Sequence, residues 1–433
     1  MPLFRRKPPE PAPEPEPRQL PAEPPAPGPD GLRSLDAHRD FLLQLAQPLL
    51  PFGVNLLDAV GLQVVEAIDA AVDLPGCDSA DRDGYAVRAA DISTASPQTP
   101  VRLPVVGAVL PGDDPADLEP GTACLILTGA PLPPGADTVV LPERTDRGED
   151  EVKVYAAEVA GRHVRYRGSD TAEGELLIDR GQTLDVRQVG LLAAVGIDKV
   201  LVRPRPRVVV VSVGDDLTEA GGRLRPGERY DANSYLVAAA AKAVGAQVWR
   251  VGHVGAETDQ LRDVVADQLI RADLIITTGG IGHGDSDVVK QVIPDLGACD
   301  FTSVAMRPGQ PQGVGLIGED EVPILMLPGD PVAAYLSFEA FARPVIRRLM
   351  GAEPYLREEV EAIATMAITS EPGFDQLALV KVTPGPNGLE AARVGGHASR
   401  LLSYLAGANA LALLERQTQF VAAGDQIRVW MLE

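Results

Sequence analysis

Cysteine, aromatic residues, positive charge and long apolar runs are all scarce in this chain of 433 residues. Its three cysteines, Cys77, Cys124 and Cys299, lie far apart with no CxxC spacing. That excludes a disulfide framework and suits a reducing cytoplasm, with the thiols packed as small hydrophobes. Lys and Arg number 39 against 61 Asp and Glu, a net charge of −22, which argues against a nucleic-acid or anionic-membrane surface. An anionic ligand stays compatible, because local dipoles, a few cations and divalent metals hold phosphate inside an acidic protein. Apolar runs such as Val208 to Val213 and Leu236 to Ala241 are far too short for a membrane span. The basic residues within Met1 to Lys7 are followed by no apolar stretch, so no secretory signal is read.

Against these absences stands one dense feature. Leu274, Ile275 and Ile276 form an apolar strand that runs into Gly279, Gly280, Gly282 and Gly284, after which Asp285-Ser286-Asp287 leads into the helical run Val288 to Ile293. A strand, a glycine turn and a helix N-terminus present unpaired backbone N–H groups at the carboxyl edge of a sheet, where phosphates bind. The loop holds neither the six-residue dinucleotide fingerprint nor a Walker sequence. Two aspartates beside the cradle point to a metal-bridged phosphate. The plain alternative is a tight strand-to-helix turn capped by Asp287.

The length requires several domains. Residues 1–30 hold twelve prolines and read as a disordered, PPII-like arm, either a solvated tail or a ligand for a partner. Helical patterns follow around Phe41, Leu42 and Leu45 and again around Leu56, Leu62, Val65 and Ile68. Residues 74–158 switch to short punctuated strands, a small β domain. A run from Val186 to Ala194 reads as a helix ending at Gly196. Residues 204–351 alternate strand and helix up to a long helix from Val332 to Leu349, an α/β domain around a doubly wound parallel sheet covered on both faces. Residues 352–433 read as a small C-terminal β barrel.

Several of these pieces together resemble one family. Leu74-Pro75-Gly76-Cys77-Asp78 with Asp83-Gly84-Tyr85-Ala86-Val87, the run Thr128 to Asp137, and Arg167-Gly168-Ser169-Asp170 match its signatures in order. So do Ser212 to Leu217, Tyr230-Asp231-Ala232-Asn233, the Gly279-Gly280 loop, Arg307 to Pro311 and Leu327 to Val332. The family is molybdopterin molybdenumtransferase, the molybdenum insertase, related to the gephyrin E domain. The resemblance covers everything except the Pro-rich arm. It implies a discontinuous linker domain I (31–73 and 159–203), β domain II (74–158), α/β domain III (204–351) and β-barrel domain IV (352–433). It also implies a cytoplasmic homodimer whose cleft joins domain III of one subunit to domain II of the other. Adenylylated molybdopterin would bind there with Mg²⁺ or another divalent metal, molybdate would enter, and AMP would leave.

Carried onto this chain, the resemblance implies catalytic carboxylates Asp83, Asp170, Asp216, Asp231 and Asp287, with Asp231 and Asp287 as metal ligands. The substrate would meet Thr128, Gly279, Gly280, Gly284, Arg307, Pro308, Gly309, Ser399 and Arg400. Several of these have ordinary alternatives: Asp231 and Asp287 as helix caps, Asp83 and Thr128 as turn residues. The departures also matter. The family's two lysines are Arg307 and Gln310, its loop serine is Gly282, and its Glu is Asp216. Its Asn and Ser are Asp330 and Ala333, and its barrel arginine falls on Leu377 or Ala378, with Arg400 as a substitute. Each lost charge-assisted hydrogen bond is worth roughly 1.5–3 kcal/mol, so losing two weakens molybdate binding by about a hundredfold or more. Two functions follow: an insertase, or a weakened gephyrin-like scaffold that docks a peptide on domain IV or the Pro-rich arm. A binder that delivers cofactor without inserting metal is a third.

Overall fold

The computed structural model describes residues 19–282, 287–386, 388–396 and 401–432. Its chain forms two compact units, residues 51–202 and the remainder on either side of them. No helix among the described residues is long and apolar enough to cross a membrane.

The 51–202 unit contains a five-stranded sheet in the order Thr138–Val140, Gly84–Val87, Ala123–Ile126, Val101–Val109 and Glu151–Val154. Strand Gly84–Val87 is buried on both faces, with Tyr85 and Val87 in one small core and Ala86 in another beside Ile126 and Val139. Beside it, Phe52–Asn55 pairs with Lys199–Val202, and Ile68–Asp69 with Leu176–Ile178, around Leu56, Leu62, Ile178 and Leu192. The helix Val186–Ala194 begins at a capping box formed by Asp185 and Gln188. The second helix expected around Leu56 to Ile68 is absent. Gly61 has φ 77° and donates to Leu184 O, so Leu56 and Leu62 reach the core from turns.

The other unit is built on a six-stranded sheet: β1 (Arg207–Val213), β2 (Gln247–Val254), β3 (Leu274–Thr278), β4 (Gly297–Ser303), β5 (Pro311–Ile317) and β6 (Val322–Leu327). The order is β2-β1-β3-β6-β5-β4, with the first four strands parallel. Alternate residues serve two cores, Val208, Val210 and Ile276 on one face and Val209, Val211 and Ile275 on the other. That is why these strands read as unbroken Val/Ile runs. The sheet is not wholly parallel as the sequence suggested, because β5 and β4 continue it antiparallel. β4 mixes apolar, acidic and hydroxyl residues and carries no apolar run to announce it. A six-residue glycine match at Gly313, Gly315 and Gly318 lies on and just after β5 and opens no helix, so it is no phosphate loop.

The expected helix from Val332 to Leu349 is three pieces, helix Pro331–Ser337, a π turn Phe338–Ala342 and helix Arg343–Met350. Pro344 supplies no N–H, so the ladder widens just before it. Beyond, strands Asp375–Gly385, Gly388–Arg393, Glu359–Ala364, Gln426–Met431 and Ala410–Leu414 close into a barrel, because the first pairs with the last.

Two expectations about the N-terminal region change. Residues 31–50 do not join the linker module. Helix Leu35–Leu45, capped by Ser34, buries Leu35, Phe41, Leu42 and Leu45 in the core that contains Phe338 and Phe341. An apolar stripe that wide needs a large apolar face. The second half of the arm is tethered rather than disordered: Leu20 and Ala22 pack on the same core, Pro25 O accepts from Arg33 Nε, and Asp30 pairs with Arg416. Residues 1–18 lie outside the described residues.

Arg33 Nη1 also reaches His38 Nδ1 at 3.3 Å and Asp300 at 2.7 Å, and the His38 ring stands edge-on to Phe341 at 4.9 Å. A guanidinium donates only, so His38 is the neutral Nε2–H tautomer, and burial together with Arg33 pushes its pKa from 6.5 down to about 3. The folded state therefore binds fewer protons than the unfolded state. The stability from His38 is complete above the unfolded pKa and is lost as pH falls from 6.5 towards 3. Urea unfolding is expected to show about 2 kcal/mol lost to this residue by about pH 5. His38→Leu should flatten that part of the acid slope; an unchanged slope would show that other groups carry it.

Candidate functional site

The carboxyl ends of β1, β3 and β6 converge on a cleft of about 400 Å³ lined by Gly214, Asp216, Thr278, Gly279, Gly280 and Gly329, among others. This is the standard ligand position of an open α/β sheet. Two consecutive glycines take left-handed conformations, Gly279 at φ 87° and Gly280 at φ 68°. A Cβ on Gly279 would lie 2.5 Å from Val213 O, and one on Gly329 would lie 3.3 Å from Gly279 Cα. The two turns pack backbone against backbone, and only glycine permits that.

Asp287 stands at the N-cap position of helix Val288–Leu296 yet makes no capping hydrogen bond. Its Oδ2 is buried and has no hydrogen-bond partner among the described residues. A buried carboxylate oxygen left unpaired is costly unless a cation or donor completes it. Asn233, also on the cleft wall, shows the same feature: its Nδ2 donates to Gly329 O at 2.9 Å, while its buried Oδ1 has no partner among the described residues.

Asp231 behaves differently. It is 1% exposed and does not line the cleft. Oδ1 accepts from Ser212 Oγ at 2.8 Å and from Ser234 N at 3.0 Å, and Oδ2 accepts from Ser234 Oγ. The carboxylate thus ties the start of helix Asn233–Val244 to β1, and its oxygens are occupied. Asp231 stands one residue before the N-cap, Ala232, and steadies the first turn through Ser234 N, which leaves Asp287 as the cleft carboxylate with an open oxygen.

Asp216 lines the cleft and pairs with Arg229 at 2.9 Å. Its neighbour Asp215 turns away to accept from Ala256 N at 2.6 Å. Within the 51–202 unit, Asp83 Oδ1 accepts from both Thr128 N and Thr128 Oγ1 at 2.7 Å. Those bonds hold its carboxyl below the usual range. Asp170 is half exposed beside Arg165 at 3.6 Å.

Comparison with known proteins decides the family. Residues 33–196 match the model described as MoeA N-terminal region (domain I and II). Residues 209–348 match a probable molybdopterin binding domain, and residues 361–432 match MoeA C-terminal region (domain IV). Molybdopterin molybdenumtransferase 2 of Mycobacterium tuberculosis is 38% identical over 410 residues, covering 93% of this chain and all of that protein. The chain belongs to the MoeA family. A molybdopterin molybdenumtransferase of Nostoc is 33% identical over 88% of both chains. The crystal structure of a molybdopterin biosynthesis MoeA protein from Pyrococcus horikoshii superposes with a TM-score of 0.80 at 28% identity, covering 93% of this chain and 99% of that one.

For a MoeA-family cleft, the cationic motif is placed unexpectedly. Arg307 does not line the glycine cleft: its Nη1 meets Glu371 at 2.7 Å and its guanidinium lies 4.3 Å over Phe374. Pro308 lines a separate small groove with Leu377, Ala378 and Arg393, and Gly309 O accepts from Gln312 Nε2. Leu377 and Ala378, the expected places of the family's barrel arginine, are both buried. Asp330 caps the next helix by accepting from Ala333 N, a task Asn also performs. Gly284, Ser399 and Arg400 lie outside the described residues. Sequence reading missed Asn233 and Arg229 as cleft residues. Asn233 already stood inside a matched motif, and Arg229 sits two residues ahead of Asp231.

Proposed function

We propose that this chain is a molybdopterin molybdenumtransferase that inserts molybdenum from molybdate into adenylylated molybdopterin and releases AMP. The observation that carries the reading is the open Asp287 oxygen beside the double-glycine turn, within the segment that matches a molybdopterin binding domain. Backbone N–H groups of the turn and the helix N-terminus suit a phosphate, and the Asn233 amide fixes the Gly329 turn against it. Nothing here supports the docking-scaffold reading, since the relatives are named as transferases.

The donor set fits Mg²⁺. Asp287 and Asp216 offer carboxylates and Asn233 a carbonyl, all oxygen, and no group of three His, Cys, Asp or Glu forms a self-sufficient cage among the described residues. Mg²⁺ is commonly held by one or two carboxylates together with phosphate oxygens, whose charge it offsets. Asp287 would hold it, with Asn233 alongside.

A homodimer belongs to the same reading. Val106 and Leu125 are exposed on two paired strands, and Leu110 and Leu127 are exposed just past the ends of those strands near Thr128, with Ala108 opposite Leu125 in register. An apolar stripe of that kind marks an interface. A cytoplasmic setting suits the three free cysteines. The test is incubation of the purified protein with adenylylated molybdopterin, Mg²⁺ and molybdate. Molybdate-dependent AMP release from a species of dimer mass by light scattering is expected. No AMP at saturating molybdate would end the transferase reading, and a monomer at micromolar concentration would end the dimer.

A further inference from the structure

We propose that Arg229 is the side chain that grips the ligand's phosphate, delivered to it by exchange from Asp216. The inference rests on the reading of the cleft as a nucleotide-phosphate site. Among the described residues that line the cleft, Arg229 is the one basic side chain. Other cations nearby or in the matched motifs are committed elsewhere. Lys290 Nζ donates to Gly282 O at 2.7 Å, and Arg307 is held by Glu371 and Phe374. A phosphate entering between Asp216 and Asp287 meets two carboxylates and needs a counter-charge from the protein as well as from a metal.

The backbone around Arg229 is fixed while its side chain is not. Arg229–Tyr230 pairs in parallel with Leu217–Thr218, Arg229 N donates to Asp216 O at 2.8 Å, and Asp231 N donates to Thr218 O at 2.9 Å. That anchors the Cα at the cleft wall. The guanidinium, by contrast, has one carboxylate partner among the described residues, Asp216 at 2.9 Å, with the two side chains 65% and 45% exposed. Exposed ion pairs are held weakly, whereas a guanidinium fork on a phosphate makes two parallel charge-assisted bonds. The exchange therefore runs towards the ligand. It also leaves the Asp216 carboxylate open in the cleft only once the phosphate has arrived, so the unliganded site does not carry two bare carboxylates.

The experiment is calorimetric binding of ADP to the full-length protein without added metal, in four forms: unmodified, Arg229→Gln, Asp216→Asn and the double variant. Arg229→Gln should weaken ADP binding by about 10- to 100-fold, with Arg229→Lys intermediate. Asp216→Asn removes the competing partner and should tighten binding, and the double variant should return to the weak level. A purely structural ion pair predicts instead that both single variants weaken binding alike. Melting temperatures within a degree or so of the unmodified protein would show that the fold survives, as expected for exposed positions. Unchanged ADP affinity in Arg229→Gln, or weakened affinity in Asp216→Asn, overturns this inference and leaves the proposed function standing. No binding by the unmodified protein, with or without Mg²⁺, overturns both.

Discussion

Asp287→Asn is expected to lower AMP release by about 10²- to 10³-fold, the usual cost of removing one preorganised electrostatic group from a reacting site. It should also remove the metal dependence of nucleotide binding, since the substitution takes away the negative charge that holds Mg²⁺ there, which the neutral Asn233 carbonyl alongside does not supply. The fold should not suffer. Oδ2 is buried without a partner among the described residues, so neutralising it relieves a desolvation cost rather than breaking a bond. The comparison with Asp287→Ala separates this from helix capping. A capping aspartate replaced by alanine costs about 1 kcal/mol, but this side chain makes no capping hydrogen bond. Both variants should therefore melt at or above the temperature of the unmodified protein while losing metal-dependent binding. A lower melting temperature in the alanine variant with binding intact would return Asp287 to a structural role.

Gly279→Ala is expected to damage the protein more broadly. The residue has φ 87°, which costs a side chain about 1–2 kcal/mol on its own. Its Cβ would lie 2.5 Å from Val213 O, a backbone atom that no rotamer can move aside. Stability should fall by roughly 2–4 kcal/mol in urea unfolding, and AMP release should vanish because the phosphate turn is displaced. Gly282 is the control. Its φ is not in the left-handed region, and the nearest atom to an added Cβ is Asp287 Oδ2 at 3.2 Å. Gly282→Ser should be tolerated, with the hydroxyl offered to that open oxygen. If Gly279→Ala folds and turns over normally, the close packing of the two glycine turns is not what shapes the cleft.

The double-glycine turn, the β1 carboxylates and the parallel Val/Ile strands were legible in the chain because each is a local pattern: a period, a turn chemistry, a residue at a strand end. The family signatures extended that legibility to the order of the domains. Local pattern says nothing about which faces become large enough to bury a neighbour. Helix Leu35–Leu45 was therefore expected in the linker module, although its apolar stripe completes the core around Phe341. The strands β4 and β5 escaped notice for a related reason, since pairing, β5 with β6 and β4 with β5, rather than their own composition makes them strands.

The carboxylates show the division most sharply. Asp231 and Asp287 each precede a helix, and nothing in the adjacent sequence separates a metal ligand from a cap. What separates them is Ser212, on a strand 19 residues earlier, whose hydroxyl reaches Asp231, while no partner among the described residues reaches Asp287 Oδ2. Hydrogen-bond satisfaction is settled by groups that meet only after the sheet and helices pack. Local pattern was enough to place a double-glycine turn and acids such as Asp216 and Asp287 at one sheet edge. Only the tertiary structure decided which acid stays open, that Asn233 joins it, and that Arg229 is the cation held within reach.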